Sequence, residues 1–165
     1  MPKLHIGCGH NKKDGWVNID VSEKLNPDKV ANWESLPFKK ESVDEIFSQH
    51  VLEHIPDCIQ ALRETWRVLK KGSKARIIVP YAGIVSAYHP HHKWYFSYTS
   101  FDPFRKGDDQ NYYYDFNFSQ VNVRLVFSGP FKWMESIANR FPQHYENSGL
   151  AWMFPAKELH VEFVK

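Results

Sequence analysis

The segment that decides the fold runs from Val43 to Pro80 and reads VDEIFSQHVLEHIPDCIQALRETWRVLKKGSKARIIVP. It begins with the apolar run Val43 to Ser48 and ends with Ala75 to Pro80, which is typical of a buried strand. Between them, Asp57 to Lys70 has apolar side chains on one face at helical spacing and charged side chains on the other. A strand, a helix and a second strand in this order predict a right-handed crossover and hence parallel pairing in an α/β fold.

Further strand signals lie on both sides of this segment. Lys3 to Gly7 and Trp16 to Asp20 are short strand candidates, and Val121 to Phe127 and Leu159 to Phe163 alternate apolar and polar residues. The late pair predicts antiparallel strands added to the parallel sheet. Asp57 is the expected N-cap of the helix, and Gly72 is expected to end it.

Length and composition predict one domain over residues 1–165, because 165 residues are too few for two ordinary enzyme domains. Residues 84–150 form an aromatic-rich stretch that we interpret as an insertion or lid. Lys and Arg number 21 against 19 Asp and Glu, a net charge of only +2, which argues against nucleic-acid binding. No apolar run is long enough to span a membrane. With 2 cysteines and no leader signal, we expect a cytoplasmic protein.

Two features at strand ends predict a ligand site. Gly7 and Gly9 follow the first strand, and glycines there let the backbone approach a ligand closely. Asp20 ends the second strand, where a carboxylate can accept both hydroxyls of a ribose. The dinucleotide fingerprint requires a third glycine where Lys12 stands, so NAD and FAD are excluded as cofactors.

In order and spacing, five motifs resemble the class I S-adenosylmethionine-dependent methyltransferases over about residues 3–98. They are LHIGCG (4–9), WVNID (16–20), LPF (36–38), SVDEIFSQHVLEHI (42–55) and RVLKKG (67–72). The resemblance implies a Rossmann-like, doubly wound, mostly parallel sheet with an antiparallel edge pair and reduced helices on one face. It also implies an enzyme that transfers a methyl group from S-adenosylmethionine, with a hydroxyl of a small molecule or saccharide as the favoured acceptor.

The same resemblance implies which residues contact the cofactor. Asp20 would hold the ribose hydroxyls, Val21 would flank the adenine, and Gln49 and His50 would face the sulfonium. The full predicted set is Gly7, Cys8, Gly9, Asp20, Val21, Asn32, Trp33, Gln49 and His50.

Two departures from the family pattern matter. Asn32 stands where the family often has an aspartate, although its carbonyl can still accept a hydrogen bond. The stretch from His10 to Gly15, between Gly9 and Trp16, is too short for the usual crossover helix. One face of the sheet is therefore expected to be thinly covered by helices. Either the aromatic second half or a second subunit in a homodimer must bury it.

Catalysis on a hydroxyl needs a general base, and His50, His91 and His92 are the candidates because imidazole titrates near neutral pH. The aromatic run from Trp94 to Phe104 is expected either to line the acceptor pocket or to pack as a lid on the sheet.

Two other functions stay open at this point. The chain could bind S-adenosylmethionine without catalysis, as a sensor or assembly partner. The stretch from His50 to His54 also matches H-x-x-E-H, a zinc-hydrolase motif that places both histidines on one helical face. We expect no metal ion, because no later helix offers a suitable third ligand.

Overall fold

A seven-stranded sheet runs through residues 2–165, the part of the chain that this computed structural model describes. The strand order is β3-β2-β1-β4-β5-β7-β6. The strands are β1 (Lys3–Ile6), β2 (Val17–Asp20), β3 (Lys29–Val30), β4 (Val43–Gln49), β5 (Leu69–Pro80), β6 (Gln120–Val126) and β7 (Glu158–Val164). Strands β1 to β5 pair in parallel, and β7 is antiparallel to β5 and β6. The predicted mixed sheet with its antiparallel edge pair is confirmed.

Four α-helices accompany the sheet in residues 2–165: α1 (Cys58–Val68), α2 (Met134–Arg140), α3 (Pro142–Asn147) and α4 (Leu150–Met153). Asp57 caps α1 as predicted, since its carboxylate accepts the Gln60 N–H at 2.9 Å. The prediction that Gly72 ends the helix is wrong, because the chain enters β5 at Leu69, where it pairs with Val43. Across this described part of the chain, no helix has the length and apolar character needed to cross a membrane.

The two faces of the sheet differ because paired residues share a face. Leu4, Ile46, Ala75 and Phe163 lie in one row across four strands, and none of them is exposed. In the neighbouring row, Arg76 on β5 pairs with Glu162 on β7 and forms an ion pair with it at 3.1 Å. The first face therefore carries the core, and the second carries ion pairs.

The aromatic second half packs on the core face. The ring centroids of Phe101 and Phe118 lie 5.7 Å and 4.7 Å from that of Phe163, and Phe116 lies 6.3 Å from Trp66 of α1. Of the two alternatives for the thin face, cover by the aromatic half is wrong, because its rings join the buried row that α1 also covers. Cover by a second subunit stays a prediction. The expected lack of a helix between β1 and β2 is confirmed.

The sheet changes its winding direction between β1 and β4, which are neighbours in space but not in sequence. Gly7 follows β1 with a φ of 68°, and a Cβ placed on it would lie 2.1 Å from Cγ2 of Val51. Only glycine allows the turns after β1 and β4 to pack this closely. Ligands of open α/β sheets bind at such a switch point.

The stretch around Trp33 and Leu36 is fixed to α1 by polar contacts. The Trp33 indole donates to Thr65 Oγ1 at 2.9 Å, and the Glu64 carboxylate accepts the Leu36 N–H at 2.8 Å. Arg67 donates to the same carboxylate at 2.6 Å. Burial raises the pKa of Glu64, but the hydrogen bonds from Arg67 and Leu36 outweigh it and hold the pKa below its ordinary value.

Replacing Gly7 by alanine should destabilise the protein more than replacing Gly15. Both residues have a positive φ, 68° and 76°, so both variants carry backbone strain of about 1–2 kcal/mol. Only the Gly7 variant also clashes with Val51, which adds about 1–3 kcal/mol of overpacking. Urea unfolding of both variants measures the difference, and equal losses would contradict the contact.

Replacing Glu64 by glutamine should cost about 1.5–3 kcal/mol at neutral pH, because Arg67 loses its charged partner. The pKa of Glu64 is lower in the folded than in the unfolded state, so its stabilisation is complete above the unfolded value of about 4.3. It is lost as the pH falls through the folded value. The stability gap between wild type and variant should therefore shrink in acid, and a pH-independent gap in urea unfolding would refute this.

Candidate functional site

A cavity of about 470 Å³ lies at the carboxyl end of the parallel strands, a size typical of small-molecule sites. The ends of β1, β2, β3 and β4 all contribute to its wall. Its lining residues are Ile6, Gly7, Asp20, Val21, Ala31, Asn32, Trp33, His50, Val51, His54, Ile55 and Pro56.

Asp20 is the carboxylate of this cavity. Its Oδ2 accepts the Gly9 N–H at 3.0 Å, and its Oδ1 accepts the Ser22 N–H at 3.0 Å. These two amides fix the orientation of the carboxylate, and each oxygen keeps a second lone pair. Asp20 can therefore accept two neighbouring hydroxyl groups of a ligand.

Three predicted residues form the opposite wall and the rim. Asn32 lies beside Trp33, which is only 2% exposed, while Val21 is 73% exposed at the rim. The Asn32 side chain is held locally, since its Nδ2 donates to Glu34 Oε2 at 2.8 Å and its Oδ1 accepts the Glu34 N–H at 3.1 Å. Its carbonyl oxygen keeps one lone pair for a ligand.

The structure places Cys8 and Gln49 outside this cavity. Both line a second depression of about 450 Å³, together with Gly7 and His50, which border both spaces. Gly9 does not line this cavity, but its backbone N–H donates a hydrogen bond to Asp20. Cys8 is 2% exposed, and burial raises the pKa of its thiol, with a further contribution from Asp20, so it stays neutral.

The sequence analysis did not name the apolar part of the wall. It consists of Ile6, Ala31, Val51, Ile55 and Pro56. Val51 and Ile55 lie in the motif around His50, and Pro56 follows it directly, so the position of this motif after β4 was the available signal. Their contribution is a dry surface opposite Asp20.

His50 borders a smaller cavity of about 260 Å³ as well as the cavity of Asp20. Its Nε2 lies 3.3 Å from Glu158 Oε1, and its Nδ1 lies 3.5 Å from Glu53 Oε1. Glu53 raises the pKa of His50 above its ordinary value and, helped by Glu158, outweighs the lowering effect of burial. Glu158 belongs to β7, so sequence proximity gave no sign of this contact.

The other two histidines of the predicted set differ in position. His92 lines the smaller cavity, and its Nδ1 lies 2.7 Å from the Ala87 carbonyl oxygen. His91 is exposed and borders neither this cavity nor the cavity of Asp20. The remaining residues of the smaller cavity are Glu53, His54, Pro80, Ser86, Lys157 and Glu158.

The aromatic run from Trp94 to Phe104 packs mainly into the hydrophobic core and contributes little to the cavity walls. Phe96, Phe101 and Phe104 are 5%, 1% and 5% exposed and belong to the core. Tyr98 borders a separate cavity of about 380 Å³ near the third helix. Of the two alternatives for this run, packing on the sheet describes these three phenylalanines, because their rings extend the buried row of the sheet.

The helix required by the zinc-hydrolase motif is absent from this stretch. Leu52–His54 forms a single 3₁₀ turn, and His50 precedes it with a φ of 54° in the left-handed region. The prediction that His50 and His54 share one helical face is wrong, because the chain turns sharply after β4.

Comparison with known proteins agrees with this geometry. Residues 4–77 match the family model described as a methyltransferase domain. No curated protein matches significantly. Three solved structures are similar over 99% of this chain: methyltransferases dependent on S-adenosylmethionine (SAM) from Archaeoglobus fulgidus (TM-score 0.67, 14% identity, 86% of that chain), Thermotoga maritima (0.60, 15%, 82%) and Mesorhizobium loti (0.60, 13%, 90%).

The structural likeness shows the fold, and the family match covers residues 4–77, which contain β1 to β4, α1 and most of β5 up to Ile77. This part of the chain contains the glycine turn, Asp20 and the motif around His50. Residues 4–77 therefore contain a methyltransferase domain, and the chain is an enzyme that uses S-adenosylmethionine as its methyl donor.

Proposed function

We propose that this enzyme methylates a hydroxyl group of a small molecule or saccharide. The observation that carries the proposal is the position of His50 on the wall shared by two cavities. One cavity has the carboxylate of Asp20 and apolar walls, which suits a nucleoside. The other is surrounded by imidazoles and carboxylates, which suits an acceptor that must lose a proton.

The larger cavity fits the cofactor. Gly7 and Val51 line this cavity, and Asp20 keeps lone pairs for two ribose hydroxyls. Val21 and Asn32 lie at the rim, where they would flank the adenine. S-adenosylmethionine, when bound, supplies an electrophilic methyl group on a sulfonium sulfur.

His50 acts as the general base in this proposal. The acceptor hydroxyl gives its proton to His50 while its oxygen forms the new bond to the methyl carbon. S-adenosylmethionine, when bound, would supply that methyl carbon by giving up its carbon–sulfur bond, and its sulfur would become a neutral thioether. Glu53 and Glu158 on either side of the ring stabilise the resulting imidazolium, so proton transfer to His50 is favoured.

The smaller cavity limits the acceptor. At about 260 Å³ it accommodates a small molecule or a terminal sugar. His91 plays no part in this proposal, because it is exposed and borders neither cavity.

Replacing Asp20 by alanine should weaken binding of both S-adenosylmethionine and S-adenosylhomocysteine. The loss of two hydrogen bonds to a charged group costs about 2–3 kcal/mol, or roughly 30- to 150-fold in dissociation constant. Calorimetry measures the affinity. Asp14→Ala, which removes an exposed carboxylate of the same region, is the charge-matched control and should bind normally. Equal affinities of the two variants would remove Asp20 from the site.

Replacing His50 by glutamine should reduce the rate of methyl transfer by roughly 10²–10⁴-fold, the usual contribution of a positioned base. The acceptor is found by incubating the enzyme with isotope-labelled S-adenosylmethionine and a set of hydroxyl-bearing metabolites and oligosaccharides. Mass spectrometry then locates the methyl group. An O-methyl product whose formation needs His50 supports the proposal, and methyl groups found on nitrogen, carbon or nucleic acid overturn it.

A further inference from the structure

Glu53 is the most deeply buried acidic residue in the described part of the chain. Its side chain is 1% exposed, and within residues 2–165 neither carboxylate oxygen has a hydrogen-bond partner. The nearest imidazole nitrogen, Nδ1 of His50, is 3.5 Å away, which is longer than an ordinary hydrogen bond. His50 is thus an ionic neighbour of Glu53 on one side, but neither carboxylate oxygen receives a hydrogen bond at ordinary distance. A carboxylate this deeply buried without such donors is costly, and a bound cation would offset that cost.

Two histidines complete a ligand set around Glu53. One potential ligand atom from each of Glu53, His54 and His92 lies within 4.8 Å of the other two. The rings of His54 and His92 come from distant parts of the chain, yet their centroids are only 4.6 Å apart. All three residues line the smaller cavity.

Both imidazoles have the partner that metal-binding histidines usually have. Nδ1 of His92 lies 2.7 Å from the Ala87 carbonyl oxygen, and Nδ1 of His54 lies 3.3 Å from the His91 carbonyl oxygen. A carbonyl oxygen only accepts, so each Nδ1 carries the hydrogen. Each Nε2 then keeps its lone pair free for a ligand.

The backbone holds the three residues together before any ligand binds. The Glu53 carbonyl oxygen accepts the Lys93 N–H at 2.7 Å, next to His92. The Trp94 indole donates to the Ile55 carbonyl oxygen at 2.8 Å. The turn at Leu52–His54 and the loop around His92 are therefore docked on each other at the site.

We propose that Glu53, His54 and His92 bind a divalent transition-metal ion in the smaller cavity. Two imidazoles and one carboxylate suit Zn²⁺ or Co²⁺, whereas Mg²⁺ and Ca²⁺ prefer oxygen ligands. Ligands about 2.0–2.2 Å from a tetrahedral ion lie roughly 3.4 Å from each other. The three ligand atoms lie within 4.8 Å of one another, so small side-chain rotations would bring them to that distance.

The site differs from the zinc-hydrolase motif in the sequence. It uses Glu53 as a ligand and takes its third ligand from His92, while His50 stays outside it. The sequence analysis expected no metal, because it looked for the third ligand on a later helix.

The metal site also bears on the acceptor, a consequence that rests on the proposed function. An ion held by three protein ligands keeps open positions, and a hydroxyl oxygen bound there becomes more acidic. His54, like His50, lines both cavities, so such a hydroxyl would lie at the sulfonium end of the cofactor.

Metal binding is testable without any acceptor. The full chain is stripped with a chelator and titrated with Zn²⁺ by calorimetry and with Co²⁺ by visible absorption, and Mg²⁺ serves as the comparison cation. We expect one Zn²⁺ or Co²⁺ per chain and far weaker binding of Mg²⁺. Binding of none of these ions at millimolar concentration would overturn the proposal.

Variants identify the ligands. His92→Ala and Glu53→Gln should each weaken Zn²⁺ binding by at least about 100-fold, the upper range for losing even an outer-shell partner. His91→Ala is the matched control, because it removes the adjacent loop imidazole, and it should change Zn²⁺ affinity less than twofold. Two variants are used because one of them could fail to fold. Circular dichroism checks that both variants are folded. Stoichiometric binding that survives both substitutions would overturn the assignment.

A further measurement separates this proposal from the proposed function. His92 does not line the cavity of Asp20, so His92→Ala should bind S-adenosylhomocysteine like the wild type while losing Zn²⁺. If the wild type binds no metal but produces a methyl ether, only the metal site is wrong. If it binds Zn²⁺ through these ligands and methylates nitrogen or carbon, only the acceptor class is wrong.

Discussion

The contact between Gly7 and the side chain of Val51 is the constraint on which the site depends. It packs the turn after β1 against the turn after β4, at the point where the sheet reverses its winding. Because the chain must turn sharply at Val51, His50 takes a left-handed conformation and faces both cavities. The same turn directs Glu53 inward, away from solvent. One steric contact thus arranges the wall of the Asp20 cavity together with His50 and Glu53 of the smaller cavity.

A second group of contacts joins the two halves of the chain at this turn. The loop around His92 is bound to the backbone of Glu53 and Ile55, and β7 adds Glu158 beside His50. His92 and Glu158 both line the smaller cavity, and both lie beyond residue 77, where the family match ends. The smaller cavity is therefore built jointly by the matched part of the chain and by the part that follows it.

How well the position of a site residue could be predicted depends on whether its signal is local in the sequence. Gly7 and Asp20 lie at strand ends, so their place at the cavity followed from the strand pattern and the family resemblance. Gln49 borders the second depression rather than the cavity of Asp20, for a reason that the strand period explains. It shares a face with Phe47, two residues earlier, and both border the second depression on the polar side of the sheet. Glu158 and the Glu53 cluster depend on contacts between distant segments, which periodicity cannot reveal.

By itself, the sequence determined the parallel α/β core, its antiparallel edge, the lack of a helix after β1 and the position of Asp20. Each of these depends on hydrophobic period, loop length or a strand end, which are local properties. Only the tertiary structure decided that the aromatic half joins the α1 face, that β5 begins at Leu69, and that Glu53, His54 and His92 meet. These outcomes depend on which surfaces pack and which strands pair across long stretches of chain, and packing is settled by the whole fold at once.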